Sequence, residues 1–143
     1  VHQLDLWMTG EADCARLDVD KFKAVNDRHG HAGGDAVLVE FARRLKTAVR
    51  ATDTVSRLAG DEFVVLLEDV HAIGDAVRVA EAILAAMQVP VRHIDSDINV
   101  GTSIGIAFGR DEGEDADQWL HRADVALYEA KAAGRGSYRV AVD

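Results

Sequence analysis

The chain has 143 residues, 48% of them hydrophobic and 29% charged, which fits one globular domain with a sizeable core. Its formal net charge of −9 argues against sequence-independent binding to nucleic acid, although local cations could still offset a nucleotide's charge. The single cysteine, Cys14, excludes an internal disulfide framework and favours a reducing cytoplasm, and no apolar run approaches the roughly 20 residues of a membrane span.

The beginning of the chain predicts a fragment of a longer protein. Residues 1–8 hold several apolar side chains without a clear period, and the first residue is not Met. We therefore expect residues 1–143 to form a single domain, in which residues 1–11 are the remnant of an N-terminal helix or linker. An upstream regulatory domain is expected to precede them.

The spacing of apolar and turn-forming residues predicts the remaining elements. Strands are predicted over residues 12–18, 54–58, 62–68, 101–108 and 137–142, with a small peripheral hairpin over residues 91–100. Helices are predicted over residues 35–50, 72–87 and 117–133, with a short turn or helix over residues 20–26. Residues 27–34, which contain three glycines and two histidines, are predicted to form a loop. In the helix over residues 35–50, the basic side chains are expected largely on the solvent side: Arg43, Arg44 and Lys46.

These elements follow the order β-α-β-β-α-β-α-β, with an antiparallel hairpin in the middle. The order predicts an α+β fold whose central, mostly antiparallel sheet is flanked by helices. The pattern is close to the ferredoxin-like or polymerase-palm type (βααββαβ-type), with the acidic sequence described next on a β-hairpin.

Two adjacent carboxylates, Asp61 and Glu62, follow Ala59 and Gly60 at the predicted hairpin tip. The apolar residues 63–67 come next, and such a run predicts a strand covered on both faces at the centre of the sheet. Adjacent acids repel each other, so this placement costs stability unless a cation binds there. An isolated Gly-Asp-Glu is also typical of a solvated turn.

A second acidic cluster, Asp18-Val19-Asp20, comes at the end of the predicted first strand. Two strands that each deliver an aspartate to the same sheet end can form an oxygen-ligand site for Mg²⁺ or Mn²⁺. Paired metals held by such acids support in-line attack of a hydroxyl on phosphorus. The two clusters together therefore predict metal-assisted phosphoryl transfer.

The motifs around these acids resemble the GGDEF family of diguanylate cyclases. The N-terminal motifs are Asp18-Val19-Asp20-Lys21-Phe22-Lys23, Asn26-Asp27, Gly30-His31, Gly34-Asp35 and Arg57-Leu58-Ala59-Gly60-Asp61-Glu62-Phe63. The C-terminal motifs are Ser103-Ile104-Gly105-Ile106-Ala107 and Ala123-Asp124-Val125-Ala126-Leu127-Tyr128-Glu129-Ala130-Lys131. The resemblance extends in order from about residue 12 to residue 140.

The resemblance implies an enzyme that joins two GTP molecules into cyclic di-GMP and releases pyrophosphate. Each domain would hold one GTP, and a transient or regulated homodimer would bring two half-sites face to face. Mg²⁺ or Mn²⁺ would be the cofactor, with two ions in each half-site. Neither nucleic acid nor a membrane is an expected partner of this domain, whose expected location is the cytoplasm, with any membrane anchor upstream.

The resemblance also implies roles for the acidic residues. Asp18 and Asp61 would be metal-binding carboxylates, and the Val19 carbonyl would be a further metal ligand. Asp61 would help to deprotonate the 3′-hydroxyl, and Glu62 would support the metal site or the nucleotide.

Other matched residues would bind GTP. Asn26 and Asp35 would read the guanine edge, because an amide and a carboxylate together match its acceptor and donors. Lys131 and Arg135 would reach the triphosphate if the helix persists to Arg135, although both are also ordinary cations at a helix C-terminus. The remaining GTP-binding candidates are His31, which alternatively packs on a helix start, and Gly60.

Arg50 and Asp53 match the family's inhibitory site, at which an arginine and an aspartate hold the cyclic di-GMP product. Arginine suits contacts to phosphate and to the guanine edge. A simple ion pair at a helix end is the alternative for Arg50 and Asp53.

Two departures from the family pattern leave other functions open. Ala59 replaces the first glycine of the signature, which costs about 1 kcal/mol or more if that position needs positive φ. The family's opening segment, which leads into its first helix, is also absent. An active cyclase is expected, and the alternatives are a catalytically silent module that binds GTP or cyclic di-GMP, and another phosphoryl-transfer enzyme on a palm-like fold.

Overall fold

The computed structural model describes residues 12–68, 72–109 and 112–141, so the predicted remnant over residues 1–11 lies outside the described residues. In chain order, the elements are β1 (Ala12–Val19), α1 (Phe22–Ala48), β2 (Thr54–Ala59), β3 (Glu62–Glu68), α2 (Ile73–Ala86), β4 (Val91–His93), β5 (Ser96–Ile98), β6 (Thr102–Ala107), α3 (Ala116–Ala132) and β7 (Tyr138–Val140). Within the described ranges, no helix is long and apolar enough to cross a membrane.

Five strands form the main sheet in the order β2-β3-β1-β6-β7, and β4 and β5 form a separate small hairpin. Neighbouring strands of the main sheet are antiparallel except for β6 and β7, which are parallel. The predicted α+β fold with a mostly antiparallel sheet is therefore confirmed. The central strand, however, is β1, and β3 lies beside it rather than at the centre.

The alternation of side chains along β1 and β3 separates two apolar layers. On one face, Leu17 and Val65 belong to a core cluster that includes Phe41 of α1 and Ile83 of α2. On the other face, the smaller cluster contains Trp119 of α3, packed with β1, β3 and β6 residues. Residues 63–67 of β3 are all buried, which confirms that this strand is covered on both faces.

Helix α1 passes through residues 27–34, so the predicted loop there is wrong. Its only non-helical residue is Gly30, whose φ of 75° and ψ of 175° divide the helix into two segments. Gly34 is buried, and a Cβ on it would lie 3.0 Å from Asn26 Cγ and closer still to its Oδ1. The Gly33–Gly34 pair thus permits close packing between the two segments, whereas the prediction interpreted these glycines as a sign of a loop.

Arg44 joins α1 to the end of α2. Its side chain is only 8% exposed, and Nη1 donates to the carbonyls of Ala86 and Val89 at 3.1 and 2.6 Å. Nη2 donates to the Pro90 carbonyl at 3.3 Å. The prediction that Arg44 faces solvent is wrong because the carbonyls at a helix C-terminus need donors, and this guanidinium supplies them.

Candidate functional site

The two predicted acidic clusters lie side by side at one end of the sheet. In the antiparallel pairing of β1 with β3, Asp18 is directly opposite Glu62. Asp61 lies in the two-residue turn between β2 and β3, and its carbonyl accepts the Val19 N–H at 3.3 Å. The carboxylates of two strands are thus brought together, as the sequence predicted.

The turn that carries Asp61 tolerates the Ala59 substitution. Gly60 has a φ of 50°, in the region that favours glycine, whereas Ala59 is not among the residues with positive φ. Ala59 instead pairs with Glu62 at the end of β2, after a register shift that follows Arg57. The Arg57 Nε donates to the Gly60 carbonyl at 2.6 Å and fixes the turn. The backbone strain that would follow from a positive φ at residue 59 is therefore absent.

Asp18 is one of the two enclosed carboxylates of this group, with its side chain 12% exposed and that of Asp20 11% exposed. Its Oδ2 accepts a hydrogen bond from Lys131 of α3, while its Oδ1 is buried without a hydrogen-bond partner. Burial raises the pKa of Asp18, the contact with Lys131 opposes that rise, and the negative charges of Asp61 and Asp20 add to it. This carboxylate is held in a place where additional positive charge is favourable.

The donor set fits a hard divalent cation. Carboxylate and carbonyl oxygens are the ligands that Mg²⁺ and Mn²⁺ prefer, and the partnerless buried Oδ1 of Asp18 is one such donor. Within residues 12–68, 72–109 and 112–141, no group of three His, Cys, Asp or Glu side chains is arranged to hold a metal alone. Oxygens of the backbone or of a bound phosphate would therefore have to complete the coordination.

Lys131 and Arg135 both reach the acidic strand end, but they do not lie on one continuous helix. Helix α3 ends at Ala132, so the condition that it persists to Arg135 is not met. The N–H of Arg135 instead bonds to the Ala130 carbonyl at 3.1 Å and that of Gly134 to the Lys131 carbonyl at 3.2 Å, which is a Schellman ending. This turn brings Arg135 Nη1 to 3.5 Å from Asp20 Oδ1.

The break at Gly30 in α1 determines where the two residues predicted to bind guanine lie. Asn26 belongs to the first segment and packs on Gly34, directly before Asp35 in the second segment. Asn26 therefore lies against the residue that precedes Asp35 in the chain. Asp35 and His31 are exposed, and the role of His31 stays a prediction.

Arg50 and Asp53 form a closely bonded turn between α1 and β2. The Asp53 side chain is 1% exposed, and its carboxylate accepts the N–H groups of Arg50 and Glu68 at 2.9 and 3.1 Å. The Arg50 guanidinium is 58% exposed, lies 3.5 Å from Asp53 and also donates to the Glu68 carbonyl. The aspartate is thus engaged by the backbone, and the arginine remains accessible.

Sequence reasoning missed two polar residues beside the site. Arg16 of β1 lies on the same strand face as Asp18 and contacts Glu62 and Asp124. Ser103 of β6 donates from its hydroxyl to Asp20 Oδ1 at 2.9 Å. The available signal was the period of two along a strand, which places residues 16 and 18 on one face.

These features define an α+β domain with a carboxylate-rich site at one end of its sheet. The family model described as "Diguanylate cyclase, GGDEF domain" matches residues 14–137. Diguanylate cyclase TpbB of Pseudomonas aeruginosa is 46% identical over 126 residues, which are 87% of this chain and 29% of that protein. The chain therefore belongs to the GGDEF domain family of diguanylate cyclases.

Solved structures agree with this assignment. The crystal structure of the GGDEF domain of TpbB (also called YfiN) from Pseudomonas aeruginosa matches with a TM-score of 0.87 at 42% identity, covering 99% of this chain and 88% of that one. The GGDEF domain of DgcB from Caulobacter crescentus, in complex with c-di-GMP, matches with a TM-score of 0.82 at 28% identity, covering 98% of this chain and 82% of that one.

Proposed function

We propose that this domain is an active diguanylate cyclase, which condenses two GTP molecules into cyclic di-GMP and two pyrophosphates. Two copies meet face to face in a transient or regulated homodimer, each holding one GTP. The observation that carries the proposal is the partnerless, buried Oδ1 of Asp18 at the strand end shared with Asp61, Glu62 and Lys131.

Asp18, the Val19 carbonyl and Asp61 would hold Mg²⁺ or Mn²⁺, with two ions in each half-site. When bound, these cations supply positive charge that offsets the charge developing on the α-phosphate. Lys131, which contacts Asp18, and Arg135, which contacts Asp20 from its turn, would bind the triphosphate at this strand end. Glu62, which pairs opposite Asp18, would support the nucleotide.

The bond changes take place between the two bound nucleotides. The 3′-oxygen of one GTP attacks the α-phosphorus of the other, and Asp61 helps to take the hydroxyl proton. The bond from that phosphorus to the bridging oxygen breaks, and pyrophosphate leaves with the electron pair. Repeating the step in the opposite direction closes the ring, so each half-site contributes once.

Substrate and product selection rest on residues away from the acids. Asn26 and Asp35 read the guanine, with His31 and Gly60 completing the GTP site. Product inhibition is assigned to Arg50 and Asp53, and the exposed guanidinium of Arg50 is the group available to cyclic di-GMP. The c-di-GMP complex of the related DgcB domain supports product binding by this fold.

The chain spans less than a third of the length of TpbB, of which it matches 29%. We therefore propose that residues 1–143 act as the single output domain of a longer protein, placed in the cytoplasm and controlled by an upstream region. A catalytically silent module is less well supported, because the backbone at Ala59 requires no positive φ.

The test is product analysis after incubating the 143-residue chain with GTP and Mg²⁺ at low and high protein concentration. Cyclic di-GMP whose specific rate rises with protein concentration is expected, since two half-sites must meet. Asp61→Asn, which keeps the size of the side chain, should bind GTP but lose turnover by at least about 100-fold. Nucleotide binding without product at any protein concentration would favour the catalytically silent module over the cyclase. Restored product formation in Ala59→Gly would then show that residue 59 causes the loss of activity.

A further inference from the structure

Arg16 links the signature hairpin to α3 through two carboxylates. Its Nη2 donates to Glu62 Oε2 at 3.3 Å, and its Nε lies 3.6 Å from Asp124 Oδ1. The Arg16 side chain is only 20% exposed, whereas those of Glu62 and Asp124 are 44% and 50% exposed. The guanidinium is therefore the enclosed member of the group, and it draws both carboxylates towards the sheet.

This contact decides where the Glu62 carboxylate lies. Glu62 is directly opposite Asp18 in the β1–β3 pairing, and facing like charges on neighbouring strands destabilise each other. Each carboxylate is paired with its own basic side chain, however, because Asp18 contacts Lys131 and Glu62 contacts Arg16. Glu62 is thereby turned along β1 towards Arg16.

Helix α3 provides both anchors of this arrangement. Lys131 and Asp124 are seven residues apart, which places them on the same face two turns from each other. Lys131 contacts Asp18 directly, and Asp124 contacts the arginine that holds Glu62. The same helix therefore orders both carboxylates of the facing pair.

We propose that Arg16 is a positioning residue that withholds Glu62 from the cation site and so lowers the affinity of that site for divalent metal. The proposal rests on the proposed function, in which Asp18, the Val19 carbonyl and Asp61 are the ligands. Metal affinity rises with the number of anionic ligands. A Glu62 carboxylate that is engaged by Arg16 does not contribute to that number, and one released from Arg16 does.

The test measures Mn²⁺ binding by the 143-residue chain from the electron paramagnetic resonance signal of the free ion, without nucleotide. Arg16→Met is expected to bind Mn²⁺ at least 5-fold more tightly than wild type. Glu62→Gln alone is expected to change the affinity less than 2-fold, because Glu62 is already withheld. The double variant, Arg16→Met with Glu62→Gln, should return to wild-type affinity, and Arg16→Lys should stay within 2-fold of it.

Arg92→Met is the matched control, since it removes the same charge from an exposed pair with Asp97 on the β4–β5 hairpin. It should leave Mn²⁺ binding unchanged. Unaltered or weaker binding by Arg16→Met, or tighter binding that survives Glu62→Gln, would overturn the proposal. If Arg16→Met does not fold, Asp124→Asn replaces it, and an affinity gain of about 2-fold that depends on Glu62 is then the expected result.

The outcomes separate this proposal from the cyclase proposal. If the single and double variants show the expected Mn²⁺ affinities but the chain makes no cyclic di-GMP, only the proposed cyclase activity is overturned. If the chain makes cyclic di-GMP but Arg16→Met does not change the Mn²⁺ affinity, only the proposed role of Arg16 is overturned. No Mn²⁺ binding by the wild-type chain would overturn both the metal ligands and the role of Arg16.

Discussion

Gly105 of β6 lies directly against the backbone of α3 at Ala123. A Cβ on Gly105 would lie 2.8 Å from Leu127 Cα, and closer still to the Ala123 carbonyl oxygen and the Leu127 nitrogen. These are backbone atoms, which cannot move aside as a flexible side chain can. Because Lys131 and Asp124 reach the candidate site from α3, the packing of this helix on Gly105 also affects the geometry of that site.

Gly105→Ala should therefore destabilise the fold by about 3 kcal/mol or more, at the upper end of overpacking effects. Urea unfolding followed by circular dichroism measures the change. Gly74→Ala in the first turn of α2 is the matched control, because nothing lies within 4 Å of its Cβ position. Gly74→Ala should be neutral or stabilising by up to about 1 kcal/mol. Equal effects of the two substitutions would contradict the close approach.

Arg44 and Arg43 are neighbours that contact the same carboxylate, Glu40, in different surroundings. Arg44→Met should lower the free energy of unfolding by about 2 kcal/mol, because the carbonyls at and just after the end of α2 lose a charged donor that is itself 8% exposed. Arg43 is 65% exposed, and Arg43→Met should change the free energy by no more than about 0.5 kcal/mol. Chemical denaturation of both variants compares them, and equal losses would show that Arg44 does not cap α2.

The order of strands and helices could be predicted because it depends on apolar periodicity, which is local in sequence. The proximity of Asp18 and Glu62 could also be predicted in part, since two acids at strand ends on the same edge of a sheet are expected to lie near each other. Residues whose role comes from tertiary contacts could not be predicted in this way. Arg44 is a charged residue of a type usually exposed to solvent, yet its partners are the carbonyls of Ala86 at the end of α2 and of Val89 and Pro90 just after it.

The glycines show the same limit. Gly30, Gly33 and Gly34 together indicate a loop by composition, but only Gly30 has non-helical backbone. The other two are explained by side chains from the preceding helical segment that pack on them. Arg16 was likewise missed because its partners come from β3 and α3, far away in sequence. Local propensity describes segments, and such contacts arise only when the segments meet.

Substitutions of Arg50 and Asp53 should have different effects, although the two residues belong to one sequence motif. Arg50→Ala removes an exposed guanidinium, so it should relieve inhibition by cyclic di-GMP at least about 10-fold while stability stays within about 1 kcal/mol of wild type. Asp53→Ala removes the acceptor for two backbone N–H groups and should cost about 2 kcal/mol. Initial rates with added cyclic di-GMP, together with urea unfolding, measure both effects. An Arg50→Ala variant that remains as strongly inhibited would exclude the inhibitory site.

Asp13 gives the fold a pH dependence that is independent of the candidate site. This carboxylate is 1% exposed, with Oδ1 accepting the Gly109 N–H at 2.7 Å and Oδ2 buried without a partner. Burial raises the pKa of Asp13 to about 6, the Gly109 hydrogen bond opposes the rise, and the negative charge of Asp75 adds to it. The folded state therefore binds the proton more tightly than the unfolded state.

Because the folded pKa of Asp13 lies above the unfolded one, this group favours folding when protonated, and its contribution falls as pH rises from about 4 to 6. The loss is on the order of 2 to 3 kcal/mol. Asp13→Asn keeps an acceptor for Gly109 and cannot ionise, so its stability relative to wild type should increase by that amount across the same interval. Urea unfolding of both proteins at pH 4, 5, 6 and 7 measures the difference in stability. Titrating groups that the two proteins share cancel in this difference. A stability difference that stays constant with pH would show that Asp13 does not titrate in this range.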